Sequence, residues 1–294
     1  MHGFLNFANP SNRFNYENLL IAFVDNALQE DIGAGDMTTE AIVPIAEAGS
    51  ANFLVKEDCV IAGLELVRII FHRVDPYICF VPHHKDGDFI KAGTIAGRVS
   101  GNIQSLLKTE RLVLNAMQRM SAIATKAQKL VQKAEPFGVT ILDTRKTTPN
   151  FRICEKWAVA IGGGMNHRFA LYDQILIKDN HIKVAGGIRQ ALENLAKYLE
   201  SQKIKVPVVV EVKDESEFEI AIKCSLVNRI LMDNFAPNEI NTLIRKYSFS
   251  QKLEASGGID DHNIDDYLQS GVHFLSIGDL THHIQSIDIS LKVQ

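Results

Sequence analysis

Residues 141–152 read ILDTRKTTPNFR, and three cations stand directly behind a short apolar run: Arg145, Lys146 and, past a Thr-Thr-Pro turn, Arg152. An arginine fork suits a carboxylate, and a lysine offers phosphate a point charge. Between positions 143 and 183 the chain carries seven Lys or Arg (145, 146, 152, 156, 168, 178, 183) against four acids (143, 155, 173, 179), a local balance of +3 in a chain of net charge −4. The stretch GGGMNHR adds Gly162 to Gly164 and the pair His167-Arg168. Such a cluster implies ligands that are multiply anionic, with at least one carboxylate.

The elements that must hold these groups are legible from periodicity. Residues 16–30 have apolar positions at helical spacing, and EDIGAGDMTTE follows with residues suited to ending and capping helices. From about 50 to 102, short strand-like runs surround one helix near 64–73, which predicts a small α+β unit. A helical stretch over about 104–135 contains no Pro or Gly and is long enough to bend or to bridge two domains. From 139 onward, VTILD, QILIK, VPVVVEV, RILMD, KLEAS and VHFLSI alternate with helical segments near 150–161, 187–201, 215–224, 237–246 and 262–269. Strands alternating with helices imply parallel βαβ units, and without a GxGxxG they point to a closed or incomplete α/β barrel, with a doubly wound sheet as the alternative. The expected division is an amino-terminal α+β domain over 1–115, joined by 285–294, and a barrel over 116–284.

Composition excludes several classes. With 46% hydrophobic and 22% charged residues the chain reads as a soluble globular protein. No domain-wide basic field exists to bind nucleic acid, no apolar run reaches transmembrane length, and the first residues lack the pattern of a signal peptide. Cys59, Cys79, Cys154 and Cys224 are scattered, which fits reduced thiols in a cytoplasm. The pairs His83-His84 and His282-His283 read as surface residues rather than metal ligands, because adjacent side chains on a regular element point apart.

A barrel places its chemistry at the carboxyl ends of its strands. Here those ends carry Asp143-Thr144-Arg145-Lys146, Lys178-Asp179-Asn180-His181, Glu211 and Lys213, Asp233-Asn234, Ser256-Gly257-Gly258, and Ser276-Ile277-Gly278. A charged residue after an apolar strand is ordinary where the chain returns to water. The ordering carries more: cations first, carboxylates next, Gly-rich loops last. The loops ASGGID and SIGDLTH are suited to phosphate. Glu211 and Asp233 on neighbouring strands suggest Mg²⁺ through water, or ribose hydroxyls.

The segment LDTRKTTPNFRICEKWAVAIGGGMNHRFALYDQILIKDNHI resembles quinolinate phosphoribosyltransferase, also called nicotinate-nucleotide pyrophosphorylase (carboxylating). EDIGAGDMTTE, TERLVLNAMQRMSAIAT, VEVKDESEF, LMDNF, LEASGGI and SIGDLTH support it in family order. Asn150-Phe151, Trp157 and Ala170 depart from the usual residues without removing a charge. The resemblance implies transfer of phosphoribose from phosphoribosyl pyrophosphate to quinolinate, with Mg²⁺, giving nicotinate mononucleotide, pyrophosphate and CO₂ in NAD biosynthesis. It also implies a homodimer whose amino-terminal domain covers the partner's barrel mouth. On this reading Arg145, His167, Arg168 and Lys178 line the quinolinate pocket beside Thr144, and Arg111 reaches in from the partner subunit. By itself, Arg111 reads as an exposed helix charge. Lys146 would serve the phosphoribosyl donor, Glu211 and Asp233 the ribose and hydrated Mg²⁺, and Ser256, Gly257, Gly258, Ser276 and Gly278 the 5-phosphate. Lys146, Glu211 and Asp233 form the expected catalytic set.

Three alternatives share these residues. Lys178 could form a Schiff base, as in barrel aldolases. The barrel could bind the same anions without turnover. A molybdenum-associated homologue is the third, though the full DTRKTTP and DNHI favour the quinolinate enzyme.

Overall fold

The computed structural model describes residues 16–294; the signal-peptide reading rests largely on residues 1–15, which lie outside them. Helix α1 (Tyr16–Ile32) buries Leu20 and Val24. The helix α2 (Met37–Ile42) was not foreseen as an element, but its cap was: Asp36 accepts from the backbone N–H of Thr39 at 3.0 Å. The small unit comprises β1 (Ala48–Val55), β2 (Cys59–Val60), α3 (Leu64–Val74), β3 (Cys79–Pro82), β4 (Phe89–Ile90) and β5 (Ile95–Asn102). In it β1 pairs antiparallel with β5, and β5 with β3. Phe53 of β1 meets Phe71 of α3 and Phe80 of β3 edge-on, at centroid distances of 6.3 and 5.7 Å. Residues Ile289–Val293, at the far end of the described chain, return to pair antiparallel with β1.

Helix α4 (Ile103–Ala134) is a single element of 32 residues, about 48 Å long at the usual rise. Asn102 caps it by accepting from the Ser105 N–H at 3.1 Å. Its buried face, from Leu106 through Met117 and Ile123 to Leu130, is shared between the small unit and the barrel. Against the barrel the approach is so close that a Cβ on Gly162 would fall 2.4 Å from the Ala124 carbonyl oxygen.

Six parallel strands follow: β6 (Thr140–Leu142), β7 (Ile175–Ile177), β8 (Val208–Val212), β9 (Arg229–Asp233), β10 (Lys252–Ser256) and β11 (Phe274–Ser276). Their spatial order is β6-β11-β10-β9-β8-β7. The sequence runs round the sheet in one direction and β11 returns to β6, which rules out the doubly wound arrangement. Between β6 and β7 there is no strand pairing, only a bridge from Leu142 to Met165, so the barrel is incomplete. The intervening helices are α5 (Arg152–Ile161), α6 (Asp179–Ala185), α7 (Ile188–Gln202), α8 (Glu215–Ile222), α9 (Pro237–Lys246), α10 (Ile264–Leu268) and α11 (Asp279–His282). Strands covered on both faces need apolar runs rather than alternation, and Val208, Val209, Val210 and Val212 are all buried. Among the described residues no helix is long and apolar enough to cross a membrane.

Candidate active site

A cavity of about 750 Å³ opens at the carboxyl ends of the barrel strands. It is lined by Thr144, Arg145, Lys146, His167, Arg168, Lys178, Glu211, Asp233, Ser256, Gly257, Gly258, Ser276 and Gly278, so one space gathers every residue that the family resemblance assigned to the site except Arg111. Arg111 is exposed on α4 and is not among the lining residues.

The cationic wall follows β6 and flanks β7. Arg145 is partly buried, and its Nε has no hydrogen-bond partner among the described residues. A buried donor left unmatched costs free energy until an acceptor arrives. Arg168 is 8% exposed; burial, and next the charge of Arg145, push its guanidinium down. Lys178 lies 3.5 Å from Glu211, and its side chain is 47% exposed, unlike the desolvated lysine that Schiff-base chemistry favours. Thr144 accepts from the Lys146 N–H at 3.0 Å, so its hydroxyl shapes the loop. Arg152 is a buttress: it donates to Thr147 Oγ1 at 2.9 Å and to the Phe169 carbonyl at 3.1 Å. Lys156 must be removed from the pocket's charge count, because it is fully buried on α5 and paired with Asp143 at 2.5 Å.

Glu211 is the last residue but one of β8, and Asp233 ends β9. Burial pushes both carboxyls up, Lys178 opposes this at each, and Asp179 adds to it. Their mutual repulsion further raises Glu211.

At the opposite side, Gly257 and Gly258 adopt φ of +99° and +60°. A Cβ on Gly257 would lie 2.2 Å from Asn234 Oδ1, so only glycine lets the two loops touch. No helix begins directly behind them, since α10 starts only at Ile264, so any anion there is met by loop N–H groups. After β11, Gly278 lies against Lys146 and His282, whose Cδ and Nε2 are 2.9 and 3.0 Å from the position of an added Cβ. Ser276 lines the cavity, but its hydroxyl donates to Glu254 and is not free for phosphate.

His282 is a cavity residue that sequence reasoning set aside. The rule that neighbours point apart fails because α11 ends there: the His282 and His283 rings are 4.3 Å apart, and together with Asp279 they bring donor atoms within 4.8 Å of one another. Asp279 is already paired with Lys126, and burial, then the charges of His283 and Lys146, depress His282, so this corner favours anions over a cation. Glu254 was also missed. It sits fully buried in β10 between Leu253 and Ala255, and a charge inside an apolar strand was the available signal. Burial opposes its ionisation, but contacts with His167, Arg229 and Ser276 lower the carboxyl overall.

Two family models match the chain, the quinolinate phosphoribosyl transferase N-terminal domain over residues 36–121 and its C-terminal domain over 123–292. The chain is similar to quinolinate phosphoribosyltransferase (decarboxylating) 2a, mitochondrial, of Nicotiana tabacum, with 40% identity over 91% of this chain and 80% of that one. It is 36% identical to the probable nicotinate-nucleotide pyrophosphorylase (carboxylating) of Bacillus subtilis over 90% of each chain. Its fold matches the nicotinate-nucleotide pyrophosphorylase of Francisella tularensis with a TM-score of 0.86 at 35% identity, covering 96% of this chain and 98% of the other.

Proposed function

The chain belongs to the quinolinate phosphoribosyltransferase family, and on that premise we propose how its cavity works. The protein is a phosphoribosyltransferase that joins quinolinate to phosphoribosyl pyrophosphate with loss of CO₂, forming nicotinate mononucleotide and pyrophosphate. The observation that carries the residue assignment is the Nε of Arg145, a donor held beside the cavity with no acceptor among the described residues. Arg145, Arg168 and Lys178 take the two carboxylates of quinolinate and aim the pyridine nitrogen at the anomeric carbon. Lys146 takes the phosphoribosyl donor. The 5-phosphate lies against Gly257, Gly258 and Gly278, with His282 beside them.

Glu211 and Asp233 hold the ribose hydroxyls. They also fit a hydrated Mg²⁺, because two partly buried carboxylates with raised pKa are costly while charged, and a hard dication relieves that cost. When bound, Mg²⁺ would supply charge stabilisation to the departing pyrophosphate. The protein itself supplies alignment and fixed positive charge as the ribose passes through an oxocarbenium-like state. The nitrogen becomes a pyridinium once ribosylated, and its charge stabilises the carbanion left as the adjacent carboxylate departs.

A homodimer with shared sites is the assembly proposed. Arg111 is exposed away from its own cavity, one turn beyond Lys108, which binds Glu40 of α2 at 3.1 Å. Around that helix Met37, Ile42 and Ile45 are 85%, 74% and 81% exposed, an apolar surface suited to a second copy. Free cysteines favour a reducing compartment such as the cytoplasm, and cell fractionation tests that location. The central test is an assay of purified protein with quinolinate, phosphoribosyl pyrophosphate and Mg²⁺, following nicotinate mononucleotide. Product that depends on all three, and is absent when nicotinate replaces quinolinate, is expected; no product refutes the reading.

A further inference from the structure

His167 forms part of the cavity wall, yet its backbone N–H, its carbonyl and its ring Nδ1 are engaged by the protein. Its N–H donates to Asp143 Oδ1 at 2.8 Å, and its carbonyl accepts from Lys156 Nζ at 3.2 Å. Ring Nδ1 accepts from the Arg168 N–H at 2.7 Å. Ring Nε2 lies 3.4 Å from Glu254 Oε1. A ring nitrogen that accepts a backbone N–H carries no proton, so the imidazole proton sits on Nε2 and faces Glu254.

We propose that Glu254 is a positioning residue: by accepting the Nε2 proton of His167 it locks the ring in one tautomer and one orientation. Quinolinate then meets a fixed, uncharged wall, while Arg145, Arg168 and Lys178 supply the positive charge. An uncharged wall also suits the chemistry, since the pyridine nitrogen becomes positive during ribosylation and an adjacent imidazolium would oppose it. The functional part rests on the quinolinate reading; the lock itself does not.

The lock is tested by ¹⁵N NMR of histidine-labelled protein at neutral pH, with His167→Gln assigning the signals. A pyridine-like Nδ1 and a pyrrole-like Nε2 are expected at His167. An imidazolium, or the Nδ1–H tautomer, overturns the proposal whether or not the protein turns quinolinate over. Its effect on catalysis is tested in variants that remove Arg229 as well, so that no buried cation is orphaned. Glu254→Met with Arg229→Met, which deletes the acceptor, should raise the quinolinate KM about tenfold and leave that for phosphoribosyl pyrophosphate within about twofold. Glu254→Gln with Arg229→Met keeps an acceptor oxygen and should hold the quinolinate KM within about threefold of wild type. A folded Met/Met variant with unchanged quinolinate KM, a parallel rise of both KM values, or a Gln variant as impaired as the Met one would overturn it.

Discussion

Arg145 and Lys178 show how far single side chains determine this site. Each follows a short apolar strand, and each faces a cavity rather than bulk water. Replacing either by alanine should lower kcat/KM for quinolinate about a hundredfold, the cost of a lost charge-assisted contact of about 3 kcal/mol. The fold should survive, as judged by circular dichroism; near-wild-type quinolinate kinetics would refute the assignment. Glu211 leads to a prediction of opposite sign for stability. Its carboxyl is raised, first by burial, so the folded state holds the proton more readily than the unfolded chain. Stability contributed by this group therefore falls as pH rises from the ordinary carboxylate value to the raised one, and the penalty persists above it. Glu211→Gln should raise the thermal midpoint at neutral pH by about 2–4 °C while abolishing turnover. A lower midpoint, measured by calorimetry without substrates, would contradict this. These strand-end residues were legible in the sequence because their positions follow from the strands themselves. Glu254 and His282 were not. One is a charge enclosed by contacts from residues 22 and more positions away, and the other depends on where a four-residue helix stops.

At the scale of elements, the long periodic segments were the readable ones. The six strands and the helices between them followed from apolar runs and 3.6-residue spacing, and α4 from 32 residues without a breaker. The short helices α2, α6 and α11, of six, seven and four residues, escaped, although the five-residue α10 was read near 262–269. What connects elements was also hidden. Arg119 of α4 donates to Glu155 on α5 at 2.7 Å, to Thr148 at 3.0 Å and to the Thr281 carbonyl at 2.8 Å, and Thr281 donates to the Lys146 carbonyl at 2.7 Å. One helix thus braces the cationic loop against the loop after β11, through partners distant in sequence. The glycine loop after β10 is the element most exposed to a single change. Gly257→Ala places a Cβ 2.9 Å from the Asn234 backbone nitrogen at a φ of +99°. The expected outcome is about 1–3 kcal/mol of lost stability in urea melts, together with a raised KM for phosphoribosyl pyrophosphate. An alanine variant with unchanged KM for that donor would remove this loop from the phosphate site.

Across the whole molecule, α4 packs against both the small unit and the barrel, and its exposed Arg111 belongs to neither interior. In the proposed two-fold dimer that arginine would reach the partner's cavity. Symmetry makes the idea quantitative. In a heterodimer of an Arg111→Ala chain and a Lys146→Ala chain, one cavity lacks both residues and the other has both. Random exchange of equal amounts makes about half of all dimers mixed, and each mixed dimer keeps one of its two sites. Two nearly inactive variants, mixed and allowed to exchange, should therefore recover about a quarter of wild-type activity. Exchange is verified separately with differently tagged chains. Exchange without recovery would mean that Arg111 acts within its own subunit or not at all, and the exposed apolar surface around α2 would then need a different partner.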